Sequence, residues 1–118
     1  SSPSRGLGDV YKRQILAHDA GKTLGVAIYF FTYSSWAGRK VLNLHDVIVS
    51  NSSRRSGVGR RLLSYLAKEA KKNHCARIDL EVRSYNEARK FYEKLGFTQD
   101  HSNLIYELNE ADFKKISK

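Results

Sequence analysis

The sequence contains a single cysteine, a single proline and no long hydrophobic run. Because one cysteine cannot form a disulfide within the chain, the composition fits a reducing compartment, and we expect a cytoplasmic protein. No segment approaches the roughly 18 consecutive apolar residues of a membrane-spanning helix, so a membrane is not an expected partner. The lone Cys75 lies between a predicted helix and a predicted strand, where a small buried thiol is the simplest interpretation.

The 118 residues suffice for one domain with a core of its own. Residues 1–14, SSPSRGLGDVYKRQ, follow neither a helical nor a strand period and contain the only proline. They do not resemble a signal peptide, since no apolar stretch follows the basic residues. We interpret 1–14 as a disordered or non-native leader, with the native N-terminus missing, and we expect the folded domain over 15–118.

Basic residues outnumber acidic ones by 21 to 12, which gives a formal net charge of +9. The excess is concentrated between residues 51 and 75, where seven cations accompany a single Glu69. These cations are Arg54, Arg55, Arg60, Arg61, Lys68, Lys71 and Lys72. Such a field attracts phosphate, whether on a small cofactor or on a nucleic acid. Charge alone therefore leaves both kinds of partner open.

Hydrophobic periodicity predicts the element order β-β-β-α-β-α-β-β. We expect strands at 15–18, 23–33, 41–49 and 77–83, near residue 97, and at 104–108. The first predicted helix carries an apolar stripe from Val58 to Ala70 that includes Ala67, and it ends near Asn73; the second is capped by Asn86 and ends at Gly96. Antiparallel hairpins followed by a β-α-β crossover indicate an α+β fold, a mixed and mostly antiparallel sheet with helices packed on it.

A basic loop, SSRRSGVGRRLL at 52–63, joins the third predicted strand to the first predicted helix. The first N–H groups of a helix have no partner within it and attract anions. Glycines at 57 and 59 would let a phosphate approach the backbone, and the arginines supply charge. The loop is neither a Walker loop nor the three-glycine dinucleotide motif. From its residues alone it is either a phosphate cradle or a solvated basic loop.

Two segments of the sequence resemble the two signatures of the GNAT superfamily of N-acetyltransferases, and they occur in the same order as in that superfamily. RRSGVG at 54–59 is similar to the superfamily's acetyl-CoA pyrophosphate loop, and NEARKFYEKLGF at 86–97 is similar to its second signature. Upstream, YFFTYSSWAGRKVLNLHDVIV at 29–49 resembles the spermidine/spermine (diamine) acetyltransferase branch. The resemblance implies the GNAT fold, although the superfamily's first strand and first two helices have no counterpart in this sequence.

The resemblance also implies a reaction and its cofactor. An acyltransferase of this kind moves an acetyl group from acetyl-CoA directly to a primary amine of a small molecule such as a polyamine, a diamine or an amino acid. The implied cofactor-binding residues are Val47, Ile48, Val49, Arg54, Arg55, Ser56, Gly57, Val58, Gly59, Arg60 and Asn86. Tyr92 matches the family's usual general acid, whereas without the family a tyrosine on an apolar helix stripe would be assigned to the core. A homodimer is implied, and no metal site.

The main departure from the diamine branch is His45, where that branch carries a glutamate beside the aspartate that corresponds to Asp46. Histidine can act as a base near neutral pH, but it cannot pair with a cationic amine as a carboxylate does. His45 is therefore either a catalytic and substrate-binding residue or a half-buried structural histidine. Asp46, Asp79 and Glu81 are the carboxylates expected to bind the amine. Surface pairing with Arg77 or Arg83 is the alternative for the last two.

Two other functions remain open at this point. One is a truncated GNAT domain that binds CoA without efficient catalysis, and the other is a basic module that binds nucleic acid. The aromatic residues fall in apolar patterns rather than on an exposed stacking platform, so nucleic acid is the less expected partner.

Overall fold

The computed structural model of the protein describes residues 12–117. Its strands are β1 (Arg13–Asp19), β2 (Lys22–Ser34), β3 (Arg39–Val49) and β4 (Ile78–Leu80), and its α-helices are α1 (Val58–Lys72) and α2 (Ala88–Lys94). Short 3-10 helices cover Asn51–Ser53 and Glu110–Lys115. The chain divides into two compact units, one up to Asn86 and one from Glu87 onward.

The first unit contains a four-stranded sheet in the order β1-β2-β3-β4. β1 pairs antiparallel with β2 and β2 antiparallel with β3, whereas β3 and β4 are parallel. α1 lies between β3 and β4 in the sequence, as a parallel crossover requires. The predicted α+β class with a mixed, mostly antiparallel sheet is confirmed.

The first hairpin begins earlier than the sequence pattern indicated. Ala20 and Gly21 form its turn with φ values of 49° and 80°, the positive values that a two-residue type I′ turn requires. Because this turn sets the register, the ladder continues back to Arg13 and Gln14, which pair with Tyr29 and Ile28. Residues 13 and 14 therefore lie in β1, although we predicted them in the leader. Residues 1–11 of that predicted leader lie outside the described residues.

The core of the first unit lies between α1 and one face of the sheet. α1 packs against β1, β2 and β3, and its buried residues are Val58, Leu62, Leu63, Leu66 and Ala70. The predicted stripe is confirmed except for Ala67, which is exposed because it lies on the solvent side of the helix. The facing positions of β2 are Gly25, Ala27 and Tyr29, all buried. Burial, and then the Glu69 carboxylate on α1, raise the pKa of the Tyr29 phenol, so this core hydroxyl stays protonated.

Gly25 is the point of closest approach between α1 and the sheet. A Cβ atom at this position would lie 3.0 Å from Val58 Cγ1, 3.1 Å from the Ile48 carbonyl oxygen and 3.2 Å from Leu62 Cδ1. Val58 is the first residue of α1. The missing side chain at Gly25 therefore determines how closely the N-terminal turn of α1 approaches the end of β3.

β4 is shorter than predicted, because the expected strand over 77–83 is reduced to Ile78–Leu80. Its ladder with β3 ends at the pair Leu44 and Leu80. Beyond Leu44 the register of β3 with β2 shifts by one residue. The backbone of β3 is then out of step with the residues after Leu80, so Glu81, Val82 and Arg83 do not pair with it.

The second unit contains α2 and the 3-10 helix Glu110–Lys115. The predicted cap at Asn86 is wrong. The N-cap residue of α2 is Glu87, because the Asn86 N–H closes a turn by donating to the Arg83 carbonyl at 2.9 Å. The end of this helix is as predicted, since Gly96 follows it with a φ of 103°.

The two strands predicted after α2 are absent from the described residues. The Phe97 N–H donates to the Tyr92 carbonyl at 3.1 Å as part of the helix end, so it is not available to a sheet. Residues 104–108 form neither helix nor strand. Over residues 12–117 the observed order is β-β-β-α-β-α, with 3-10 helices after β3 and after α2.

We expect Gly25→Ala to lower the free energy of unfolding by about 1–3 kcal/mol, the usual cost of overpacking a core. Because Val58 Cγ1 is the nearest atom, adding Val58→Ala should relieve the contact. The double variant should then be more stable than the sum of the two single changes predicts. Urea unfolding of the four proteins measures this coupling, and strict additivity would contradict the close approach.

Candidate functional site

A β-bulge in β3 lies at His45. Leu44 pairs with Tyr29 and Asp46 pairs with Ile28, so His45 is the extra residue between two consecutive pairs. His45 is exposed, and its ring centroid lies 6.4 Å from that of Phe30. Strand alternation already places His45 on the same sheet face as Phe30. The bulge adds Asp46 to that face, because Asp46 pairs with Ile28, two residues before Phe30.

Past the bulge, one edge of β3 has no strand beside it. Residues 45–49 continue to pair with β2, whereas the parallel ladder with β4 has already ended at Leu44. Within the described part of the chain, no other strand takes the place of β4. The backbone groups on this edge around Val47, Ile48 and Val49 are therefore available to an extended ligand, which can bind them as an added strand does.

The loop after β3 is folded onto itself by serine side chains. The Ser50 N–H donates to the Leu24 carbonyl at 2.9 Å, which extends the β2–β3 pairing by one residue. The hydroxyl groups of Ser50 and Ser53 are hydrogen-bonded at 2.8 Å, and Ser53 is buried. The Ser56 hydroxyl donates to the Ser53 carbonyl. These contacts hold the short segment between the strand and the helix in a defined path.

The loop reaches α1 through two residues with left-handed backbone angles. Arg55 has a φ of 66° and Gly57 a φ of 85°. Gly57 is the N-cap residue and offers no capping side chain, and the first helical bond runs from the Arg61 N–H to the Gly57 carbonyl at 3.0 Å. The N–H groups of Val58, Gly59 and Arg60 precede that bond, and such groups have no acceptor within a helix. The structure thus presents consecutive N–H donors at the positive end of a helix dipole.

The charges around this helix start are all of one sign. The first turn of α1 contains no acidic residue, and Arg54, Arg55, Arg60 and Arg61 are exposed. Among residues 12–117, none of these four guanidinium groups forms an ion pair. A cation in the first turn of a helix opposes the dipole at a cost of about 0.3–1 kcal/mol, which a bound anion reverses. The arrangement favours a phosphate group.

The carboxylates predicted to bind the amine differ in their surroundings. Asp79 pairs in register with Asn43, but its carboxylate accepts a bond from Arg77 Nε at 2.8 Å. The alternative of a surface ion pair with Arg77 is therefore confirmed for Asp79. Glu81 is exposed beyond the end of β4, and Asp46 is exposed beside the bulge.

Asn43 was missed by the sequence analysis. It is in register with Phe30 on one side and Asp79 on the other, so the three residues share the sheet face opposite α1. Its Nδ2 donates to Thr32 Oγ1 at 2.7 Å. The alternation of side chains along β3 would have placed Asn43 on this face, two residues before the bulge.

The GNAT acetyltransferase family model matches residues 7–97 of this chain. The chain belongs to this family. The match includes the bulge, the open edge of β3 and the loop into α1, in agreement with the resemblance seen in the sequence.

Individual relatives extend the comparison. The chain is 32% identical to the thialysine N-epsilon-acetyltransferase of Bos taurus over 74 residues, 62% of this chain and 43% of that protein. It is 38% identical to the human spermidine/spermine N(1)-acetyltransferase-like protein 1 over 75 residues, 63% of this chain and 11% of that protein. An integron cassette protein from the mobile metagenome of V. cholerae superposes with a TM-score of 0.79 at 28% identity, covering 88% of this chain and 65% of that one. The chain spans less than half the length of the curated relatives described here.

In this GNAT chain, Tyr92 belongs to the second unit. It is half-buried on α2, and its ring makes edge contacts with Phe91 at 5.2 Å and Phe97 at 5.6 Å between centroids. Asn86, the last residue of the first unit, is exposed. Two aromatic rings therefore pack against Tyr92 within its own unit.

Cys75 follows α1 in the GNAT chain and is half-buried. Burial raises the pKa of its thiol, against the opposing charges of Lys40 and Arg39, so the sulfur stays protonated near neutral pH. Arg39 donates to the carbonyls of His74 and Cys75 at 3.1 Å each. These observations favour the interpretation of a structural thiol over that of a nucleophile.

Residues 12–117 contain neither a metal-binding cluster nor a membrane-spanning helix. No group of three or more histidine, cysteine, aspartate or glutamate side chains is arranged to hold a metal ion. No helix in this range is long and apolar enough to cross a membrane.

The left-handed backbone at Arg55 gives a testable stability difference within the GNAT loop. Arg55→Gly should be more stable than Arg55→Ala by about 1 kcal/mol, because only glycine adopts a positive φ without strain. Arg54, with φ −64° and ψ 143°, is the matched control. There the order should reverse, with Arg54→Ala the more stable by about 0.4–1 kcal/mol. Chemical denaturation measures all four variants, and the same order at both positions would contradict the assigned loop geometry.

Proposed function

We propose that this chain is an acetyl-CoA-dependent N-acetyltransferase that acts in the cytoplasm on a primary amine of a small molecule. The observation that carries the proposal is the continuity of two binding features. The open edge of β3 leads, through a single serine-folded loop, into the uncapped helix start at Gly57. An extended arm ending in a pyrophosphate needs both features in this order, and family membership supports CoA as the molecule that supplies them.

The residues present fit such a cofactor. The pantetheine arm would bind the backbone edge of Val47, Ile48 and Val49 as an added strand. The pyrophosphate would accept bonds from the N–H groups at the start of α1, with nearby guanidinium groups as charge partners. The residues that would supply these backbone N–H and guanidinium groups are Arg54, Arg55, Ser56, Gly57, Val58, Gly59 and Arg60. Asn86 is assigned to the arm by the family motif. When bound, acetyl-CoA supplies the thioester whose acetyl group is transferred.

The reaction requires two proton transfers. An amine attacks only as the neutral base, so a side chain must take a proton from the ammonium form. We assign this role to His45, which is exposed beside Phe30. As the new N–C bond forms and the C–S bond breaks, the acylated nitrogen must lose a second proton and the departing thiolate must gain one. We assign delivery of the proton to sulfur to the Tyr92 hydroxyl, which regains a proton through solvent as the nitrogen releases its own.

The acceptor is proposed to be a polyamine, a diamine or the side chain of an amino acid. The relatives named above support this class, since one acts on thialysine and another is named for spermidine and spermine. Asp46 is the exposed carboxylate nearest in sequence to the proposed base, and Glu81 is a second exposed carboxylate. Asp79 could bind the amine only if the amine replaced Arg77 as the partner of its carboxylate. With histidine in place of glutamate at 45, we expect a weaker preference for polycations than in the diamine branch.

Calorimetry with acetyl-CoA, followed by free-thiol release with a panel of amines, tests the proposal. Replacing Arg54 and Arg55 together by alanine should weaken acetyl-CoA binding about tenfold at 0.15 M salt, where the Debye length is about 8 Å. Lys71→Ala with Lys72→Ala, at the opposite end of α1, is the matched control and should leave binding within about twofold, since its charges lie farther than a Debye length away. Tyr92→Phe should preserve binding and lower kcat, whereas Tyr85→Phe should change neither.

Two outcomes would replace the proposal with another function. Acetyl-CoA binding without turnover on any amine would support a CoA-binding domain that lacks efficient catalysis. Absence of acetyl-CoA binding, together with salt-dependent binding of an oligonucleotide, would support a basic nucleic-acid-binding module.

His45→Glu tests the role of the bulge residue in acceptor choice. A carboxylate at this position can pair with a cationic amine, so we expect kcat/KM for spermidine to rise relative to that for thialysine by roughly tenfold, about 1.4 kcal/mol. In His45→Gln the side chain is neither a base nor a carboxylate, so this change should lower kcat on both amines by about 10²-fold or more. Competition assays with the two amines measure the ratio directly. Equal effects of Glu and Gln on both amines would contradict a role for this side chain in recognising the acceptor.

A further inference from the structure

Two hydrogen bonds hold the Asn43 side chain in one orientation. Its Nδ2 donates to Thr32 Oγ1 at 2.7 Å and to the Val41 carbonyl at 3.3 Å, so both N–H bonds of the amide are occupied. The opposite orientation would place the amide oxygen against the Val41 carbonyl, and two acceptors cannot bond to each other. The amide is therefore fixed with its Oδ1 on the side away from these two partners.

The Asn43 oxygen has no partner in the part of the chain that the structure describes. No group there donates a hydrogen bond to Oδ1. Among the same residues, every buried side-chain nitrogen or oxygen atom has a partner, so Oδ1 reaches solvent although Asn43 as a whole is half-buried. An amide that is anchored on one side and open on the other is a preorganised acceptor for an N–H group of a ligand.

Asn43 and the proposed base lie at the two ends of one aromatic side chain. Phe30 is in register with Asn43, and its ring lies 6.4 Å from the ring of His45 between centroids. All three are on the sheet face opposite α1. Positions two residues apart on one side of a strand are separated by about 6–7 Å. The two nitrogens of an extended diamine with four or five carbons lie at a similar separation, so such a chain laid across Phe30 brings one nitrogen to each polar residue.

The neighbouring carboxylate leaves this role to the amide. Asp79 is in register with Asn43 on the β4 side, but Arg77 Nε donates to its carboxylate at 2.8 Å. Asn43 Oδ1 is therefore the acceptor without a partner at this end of the face, and a carbonyl oxygen accepts a hydrogen bond from an ammonium group as readily as from a neutral N–H. The half-buried Phe30 ring supplies an apolar surface for the methylene groups between the two nitrogens.

We propose that Asn43 Oδ1 binds the second, non-reacting amine of the acceptor while His45 receives the reacting one. Asn43 is then a specificity-determining residue, and Thr32 is a positioning residue that acts through it. The inference rests on the proposed acetyl transfer and narrows its acceptor to compounds that carry a second amine four or five carbons from the first.

Cadaverine and pentylamine measure the contribution of the second amine, because they share a five-carbon chain and differ by one nitrogen. Asn43→Ala should lower the ratio of kcat/KM for cadaverine to that for pentylamine about tenfold, the scale of a hydrogen bond to a charged group. Asn43→Asp keeps an acceptor oxygen and should retain or raise the ratio. Asn109→Ala is the matched control, since Asn109 is exposed in the second unit and makes no side-chain cap bond. An equal loss on both amines in Asn43→Ala would overturn the proposal.

Substitutions at Thr32 test the positioning role and remain decisive if Asn43→Ala fails to fold. Valine has the shape of threonine but cannot accept the Nδ2 bond, so Thr32→Val removes one of the two anchors of the amide and should lower the ratio about threefold. Thr32→Ser keeps the hydroxyl and should keep the ratio of the unchanged protein. The same ratio in both variants would overturn the role of Thr32 in holding Asn43.

Equilibrium binding of the two amines to the complete chain, with and without CoA, separates this inference from the proposed function. Tighter binding of cadaverine than of pentylamine, with the difference lost in Asn43→Ala, would support the inference even if no acetyl group were transferred. Acetylation of both amines at a ratio that Asn43→Ala does not change would keep the transferase and overturn the inference. A chain that neither distinguishes the two amines in binding nor acetylates them would overturn both.

Discussion

One extra residue in β3, His45, is the constraint on which the candidate site depends. Up to Leu44 the strand has neighbours on both sides, β2 and β4. The inserted residue shifts the register, so β4 ends and β3 continues with one open edge. The same insertion brings Asp46 onto the sheet face that carries His45, because Asp46 pairs with Ile28. A single local irregularity thus coincides with the start of the open edge and groups His45 with Asp46 on one face, so the edge and the proposed base lie next to each other in the sequence.

The phosphate end of the site depends on a different kind of constraint, the close approach at Gly25. The absent side chain at Gly25 lets Val58 enter the core and brings the first turn of α1 next to the end of β3. The uncapped N–H groups of that turn are then presented directly beyond the open edge. The exposed arginines contribute little to the stability of the fold, because no carboxylate among residues 12–117 pairs with the four at the helix start. Their charge remains available for a ligand.

The parts of the fold predicted correctly are those set by local periodicity. β2, β3 and α1 have long hydrophobic patterns, and the loop between them is continuous in sequence, so the residues from His45 to Arg60 could be placed without tertiary information. The errors arose where a neighbour decides the outcome. The length of β4 depends on the bulge in β3. The backbone N–H of Phe97 is hydrogen-bonded to the end of α2, so Phe97 does not join a sheet. Asp79 is held by Arg77, one of two pairings that the sequence left open. The position of Tyr92 relative to the loop is a matter of tertiary arrangement that no periodicity encodes.

Arg39, the first residue of β3, donates to the carbonyls of His74 and Cys75 just after α1 ends. The last residues of the same strand lead into the loop that begins α1. β3 is therefore connected to both ends of α1. Hydrogen bonds from Arg39 hold the residues after its C-terminus, and the loop after Val49 leads directly into its N-terminus. Helix and strand form one cooperative unit of local unfolding, since opening either end of α1 disturbs β3. Rigidity at the start of α1, the turn proposed to bind phosphate, is then supplied in part by the guanidinium group of Arg39, which lies at the opposite end of β3.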